Sequence, residues 1–139
     1  EYAMYIKNSG KTLLTIISDI LDLSKIESGK VDIIIERYSL SSLIEDVERS
    51  IQKRVMEKNL QFNISVSPHM HEHLQGDEVR IKQIIMNLLT NAMKYTEKGC
   101  ISLRITGESQ DTIQKLFIEV TDTGMRISEN YLRNLNDLI

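Results

Sequence analysis

Residues 77 to 96 read Asp77-Glu-Val-Arg80-Ile-Lys-Gln-Ile-Ile-Met-Asn87-Leu-Leu-Thr-Asn91-Ala-Met-Lys94-Tyr95-Thr96. Ile81, Ile84, Ile85, Leu88, Leu89 and Ala92 recur at the three-and-four spacing of a helix with one buried stripe, and Asp77 is the expected N-cap. Gly99 is expected to close this helix. At 100° per residue, Arg80, Asn87, Asn91 and Lys94 fall within about a 60° sector opposite much of the stripe. Two amides and two cations without a carboxylate suit a polyphosphate and its metal, since an amide carbonyl can ligate Mg²⁺ and an ammonium can meet phosphate. A plain solvated helix face is the competing reading of the same line.

Outward from this helix the pattern alternates between periods. Downstream, Ile101, Leu103 and Ile105 alternate with polar residues, as do Leu116, Ile118 and Val120, which predicts two neighbouring strands joined by a polar loop over 107–112. Upstream, Leu60, Phe62, Ile64 and Val66 predict a half-buried strand that ends before Pro68. Before it, Leu43, Ile44, Val47, Ile51 and Val55 predict a helix over 42–58, with Ser42 and Glu45 as a capping box and Asn59 as its end. Val31 to Tyr38 reads as a connector, more strand than helix. Residues 1–29 predict one long helix, carrying Ile6, Leu13, Ile17 and Ile20 and stopped by Gly29. Its apolar face is too wide to stay solvated, so packing against a second copy of the chain is expected. The tail 128–139 is expected to form a short helix.

The order helix, strand, helix, strand, strand implies an α+β fold with helices on one face of a mixed sheet. The net charge of −3, with no Lys/Arg block, argues against nucleic acid or anionic membrane as a partner. No apolar run reaches the roughly 20 residues that span a bilayer. One cysteine, Cys100, permits no internal disulfide, in keeping with a reducing compartment. These features lead to a soluble, cytoplasmic segment and leave open whether a longer parent is membrane-anchored.

Asp122-Thr123-Gly124 follows the last predicted strand. A carboxylate at a strand end can accept from the exocyclic amino group of a base, and a glycine two residues later lets backbone approach a ring. An ordinary turn is the competing reading.

Together these segments resemble a known family. Asn87-Leu-Leu-Thr-Asn91-Ala-Met-Lys94-Tyr95-Thr96 resembles the asparagine box of sensor histidine kinases, and Asp122-Thr-Gly124 the start of their first glycine-rich box. Gly76-Asp77-Glu-Val-Arg80-Ile-Lys-Gln83 resembles the lead into that box. Asp19-Ile-Leu-Asp22-Leu-Ser-Lys25-Ile-Glu27-Ser-Gly29-Lys30 resembles the end of the family's second dimerisation helix. The nucleotide-binding half alone would leave the gyrase-like, chaperone-like and mismatch-repair ATPases open, and the preceding helix decides for the kinases.

The resemblance implies residues 1–30 as the second helix of a dimerisation and phosphotransfer domain, and 31–139 as part of an ATP-binding α/β sandwich. It implies ATP and Mg²⁺ as cofactors, Asn91 as the magnesium ligand with Asn87 beside it, Lys94 as a phosphate contact and Tyr95 as a pocket wall. Asp122 becomes the adenine reader and Gly124 the residue that admits the base. It further implies a homodimer through the first helix and, for the full-length parent, phosphoryl transfer to a histidine and then to a response regulator.

Three departures temper this. The only histidines, His69, His71 and His73, fall in an expected loop rather than in an acceptor helix, so no catalytic residue is assigned and autophosphorylation is not expected. Metal binding by that tract is the minor alternative. Arg126 stands where the box has its second glycine, and at a positive φ it would cost about 1 kcal/mol or more. No second glycine-rich box follows Gly124. A non-enzymatic dimerisation module with a decayed nucleotide site is therefore the alternative function.

Overall fold

The computed structural model describes residues 1–124, and the readings made for Arg126 and for the tail 128–139 lie outside them. By its contacts the chain divides into two units, Glu1–Ile34 and Ile35–Ile139.

The first unit is helix α1, Tyr2–Glu27. It stops as its glycine requires: Gly29 adopts φ 68°, its N–H reaches the carbonyl of Ile26 at 3.1 Å, and the Lys30 N–H reaches that of Lys25 at 3.0 Å. No residue of α1 is buried, and Ile6, Leu13, Ile17 and Ile20 all stand exposed.

The second unit contains β1 (Glu36–Ser39), α2 (Leu40–Glu57), β2 (Gln61–Val66), β3 (His73–Gly76), α3 (Glu78–Tyr95), β4 (Cys100–Gln110) and β5 (Ile113–Asp122). β2 and β4 pair in parallel and β4 and β5 antiparallel, in the order β2-β4-β5. Parallel pairing requires a long crossover, and α3 lies within it. Ile101, Leu103 and Ile105 point from β4 onto one face, where they meet Leu43, Val47, Ile51 and Val55 of α2 and Ile85, Leu89, Ala92 and Met93 of α3. The other face is polar: Arg104 pairs with Glu119 at 3.6 Å among Asn63, Ser65 and Thr121. This is the expected α+β architecture, with both helices on one side of a mixed sheet.

Four local readings are corrected. Helix α2 starts at Leu40 rather than Ser42, because Ser39 is the N-cap and its side chain accepts the Ser42 N–H at 3.2 Å. The histidine tract is not all loop: His73 opens β3, whose antiparallel partner is β1. Strands β4 and β5 continue pairing through Gly107 to Gln110↔Ile113, so the expected polar loop shrinks to a tight connection, with Asp111 at φ 53°. Within the stripe of α3, Ile84 and Leu88 are 54% and 40% exposed, and Met93 takes their place in the core.

Candidate functional site

Helix α3 and strand β5 meet at one corner. α3 begins on Asp77, whose carboxylate accepts the Arg80 N–H at 3.2 Å, and it ends at Tyr95, with Thr96 as an extended C-cap. Gly99 does not close the helix. It sits four residues beyond Tyr95, at φ 118°, where a Cβ would collide with Thr123 Oγ1. Thr123 in turn accepts the Cys100 N–H at 3.1 Å, donates from its hydroxyl to the Lys98 carbonyl at 3.4 Å, and donates its own N–H to the Cys100 carbonyl at 3.2 Å. The segment after β5 is thereby stapled to the segment after α3.

Gly124 lies directly against the helix end. A Cβ there would stand 2.5 Å from the Tyr95 carbonyl oxygen, 2.7 Å from Thr96 Oγ1 and 2.9 Å from Asp122 Oδ1. Its N–H donates to Asp122 Oδ1 at 2.8 Å, an Asx-type turn that holds the carboxylate over its own backbone. The structure thus brings Asp122 and Gly124 beside the Tyr95 carbonyl and Thr96. The Lys94 Nζ stands 5.4 Å from the centroid of the Tyr95 ring, within cation–π range, and the ring is 52% exposed.

Asn87 and Asn91 are exposed on the same helix, two turns and one turn before Tyr95 respectively. A cavity of about 520 Å³ lies elsewhere, between β1–β3 and the β4–β5 turn, lined by Tyr38, His71, His73, Ile81 and Gln114. A groove of about 310 Å³ between α2 and α3 is lined by Arg54, Lys58, Thr90, Met93 and Lys94. Among the described residues, no cluster of three or more His, Cys, Asp or Glu side chains is arranged to hold a metal, and no helix is long and apolar enough to cross a membrane.

Thr96 and Thr123 were not singled out in the sequence. Thr96 closes the helical motif and Thr123 separates Asp122 from Gly124, so both were adjacent to the signal. Nothing in spacing says that their hydroxyls turn inward.

Residues 76–137 match the family described as histidine kinase-, DNA gyrase B-, and HSP90-like ATPase. The chain is 39% identical over 136 residues to hybrid signal transduction histidine kinase B of Dictyostelium discoideum, covering 97% of this chain and 7% of that protein. It is 41% identical over 133 residues to hybrid signal transduction histidine kinase L of the same organism, covering 95% and 8%. The structure of full-length ShkA in complex with AMPPNP superposes with a TM-score of 0.74 at 25% identity, over 93% of this chain and 27% of that one. The chain therefore spans less than a tenth of the length of these two curated relatives. With the helix-on-sheet architecture and these matches in agreement, the chain carries a segment of a histidine kinase-like ATPase domain and is similar along nearly its whole length to sensor histidine kinases.

Proposed function

We propose that this chain supplies the asparagine-bearing helix and the base-reading turn of a Mg-ATP site in a sensor protein-histidine kinase. Residues 1–30 act as the second helix of the dimerisation and phosphotransfer domain, and 31–139 as part of the ATP-binding domain. The observation that carries this reading is the seating of Gly124 on the Tyr95 carbonyl. It sets Asp122 beside the C-terminal end of α3, which supports a ligand with its base at that end and its phosphates along the helix. That ShkA was solved with AMPPNP supports a nucleotide as that ligand.

The residues suit the ligand chemically. Asn91 offers a carboxamide oxygen to Mg²⁺, with Asn87 one helical turn away, and a single amide suffices where phosphate oxygens complete the shell. Lys94 contacts phosphate and Tyr95 forms a wall against the sugar or base. Asp122 accepts from the exocyclic amino group of adenine, and Gly124 lets the turn that carries Asp122 close on the end of α3, where the base is admitted. Bound Mg²⁺ neutralises phosphate charge, and the chain's own contribution is to position and orient. In the parent kinase the γ-phosphoryl group passes to a histidine and then to a response regulator. His69, His71 and His73 are not placed in a helix and are not acceptors in this reading.

Helix α1 mates with a second copy of the chain, which accounts for an apolar face that its own unit leaves exposed. The same face suits the second reading, a dimerisation module without a working nucleotide site. Calorimetry with Mg²⁺ and a non-hydrolysable ATP analogue separates the two. The nucleotide-site reading predicts binding that Asn91→Ala and Asp122→Ala each weaken at least tenfold, about 1.4 kcal/mol. Heat that neither variant changes, or no heat at all, would leave only the dimerisation module.

A further inference from the structure

Thr96 is fully buried, at 0% exposure, and its Oγ1 has no hydrogen-bond partner among the described residues. Buried hydroxyls are ordinarily paired, so an unpaired one beside a proposed ligand site calls for a reason. The position supplies one. The Thr96 hydroxyl lies 2.7 Å from the point where a Gly124 Cβ would stand, and Asp122 Oδ1 lies 2.9 Å from that same point. The two oxygens therefore flank Gly124 together. Asp122 Oδ1 already accepts the Gly124 N–H, yet a carboxylate has room for several donors, and a threonine hydroxyl always has one proton to give.

We propose that Thr96 is a positioning residue for the base-reading carboxylate. When a base occupies the corner and displaces water from Asp122, the Thr96 side chain rotates and the carboxylate closes on it, so that the hydroxyl donates to that carboxylate and fixes its free oxygen toward the base's amino group. While Asp122 stands in solvent, water competes for its lone pairs and the hydroxyl gains little by turning. Once water is excluded, a charge-assisted bond inside the protein becomes the stronger option. The inference rests on the assignment of Asp122 as reader of the amino group.

The test compares the unmodified chain with Thr96→Val, which keeps the shape and removes the donor, and with Thr96→Ser, which keeps the donor. Each is titrated calorimetrically, with Mg²⁺ present, against ADP and against purine riboside 5′-diphosphate, which lacks the amino group. Thermal unfolding without ligand is followed in parallel. The expected result is that Thr96→Val weakens ADP roughly tenfold, leaves the amino-free nucleotide unchanged and melts no lower than the unmodified chain. Thr96→Ser should restore ADP binding. Equal weakening of both nucleotides accompanied by a lower melting temperature would mean that Thr96 only packs the corner and would overturn the proposal, as would no change in either. Failure of the unmodified chain to bind any nucleotide would sink the assignment of Asp122 itself, and this inference with it.

Discussion

Gly99 and Gly124 hold the same corner from opposite sides, and each is confined by a different constraint. At Gly99 the backbone sits at φ 118° with Thr123 Oγ1 where a side chain would go. Gly124 is confined by contact alone, since its missing Cβ leaves room for the Tyr95 carbonyl. A methyl there overpacks the corner, and Gly124→Ala is expected to lower stability by about 1–3 kcal/mol. Urea unfolding reads this as a lower midpoint at unchanged slope, and an unchanged midpoint would mean that the turn has no such contact. Glu72 sets a second residue-level expectation. The Ser39 and Ser41 hydroxyls each donate to its carboxylate at 2.6 Å, and these bonds, Ser39 first, hold it below the usual carboxylate range. With the folded value depressed, the native state releases its proton sooner. The contribution is therefore present above the unfolded carboxylate value of about 4.3 and is lost as pH falls through the folded one. Unfolding midpoints of the unmodified chain and Glu72→Gln should differ most above the unfolded carboxylate value and converge as pH falls below it. A gap that does not change with pH would contradict the assignment.

Helix α3 serves two masters along its length. Its inner residues Ile85, Leu89, Ala92 and Met93 fasten it to the sheet, while Asn87, Asn91 and Lys94 remain outside. Leu89 is fully buried between α2 and β4, so Leu89→Ala is expected to cost about 2–5 kcal/mol. Asn87→Ala, on the exposed face, should stay within about 0.5 kcal/mol of the unmodified chain. Denaturant titration of the pair separates anchoring from site, and equal losses would mean that the exposed amide has a structural duty. At this scale the sequence was most readable for α3, because a long amphipathic run contains many votes for one period. It was least readable for β3. His73-Leu-Gln-Gly76 is four residues long and becomes a strand only by pairing with Glu36–Ser39, more than thirty positions away. The N-cap of α2 slipped for a related reason: Ser39, Ser41 and Ser42 all qualify locally, and tertiary placement chooses Ser39. Apolar character does not fix burial at Ile84 and Leu88, which remain substantially exposed on the side of α3 that carries Asn91.

In the molecule as a whole, the turn after β5 comes against the C-terminal end of α3, joining the ends of two motifs that sequence could name but could not bring together. Asn87 to Lys94 and Asp122 to Gly124 were legible as residue types suited to phosphate, metal and base. Their meeting depends on register, with Ile101 opposite Asp122, and on the hydrogen bonds of Thr123 to Lys98 and Cys100. Neither is written in local spacing. The exposed apolar residues of α1 set another expectation at this scale: sedimentation should report a dimer at micromolar concentration, and Leu13→Glu with Ile17→Glu should shift it to monomer. A monomer in both cases would remove α1 as the mating surface. The central claim, that one ligand bridges the outer face of α3 and the turn after β5, is open to a single spectroscopic titration. Backbone amide resonances of the chain are followed by NMR while Mg²⁺ and AMPPNP are added. The account predicts that Asn87, Asn91, Lys94, Tyr95, Asp122 and Gly124 shift together along one saturation curve. Shifts confined to the cavity around Tyr38 and His73, or α3 shifting without Asp122 and Gly124, would contradict it.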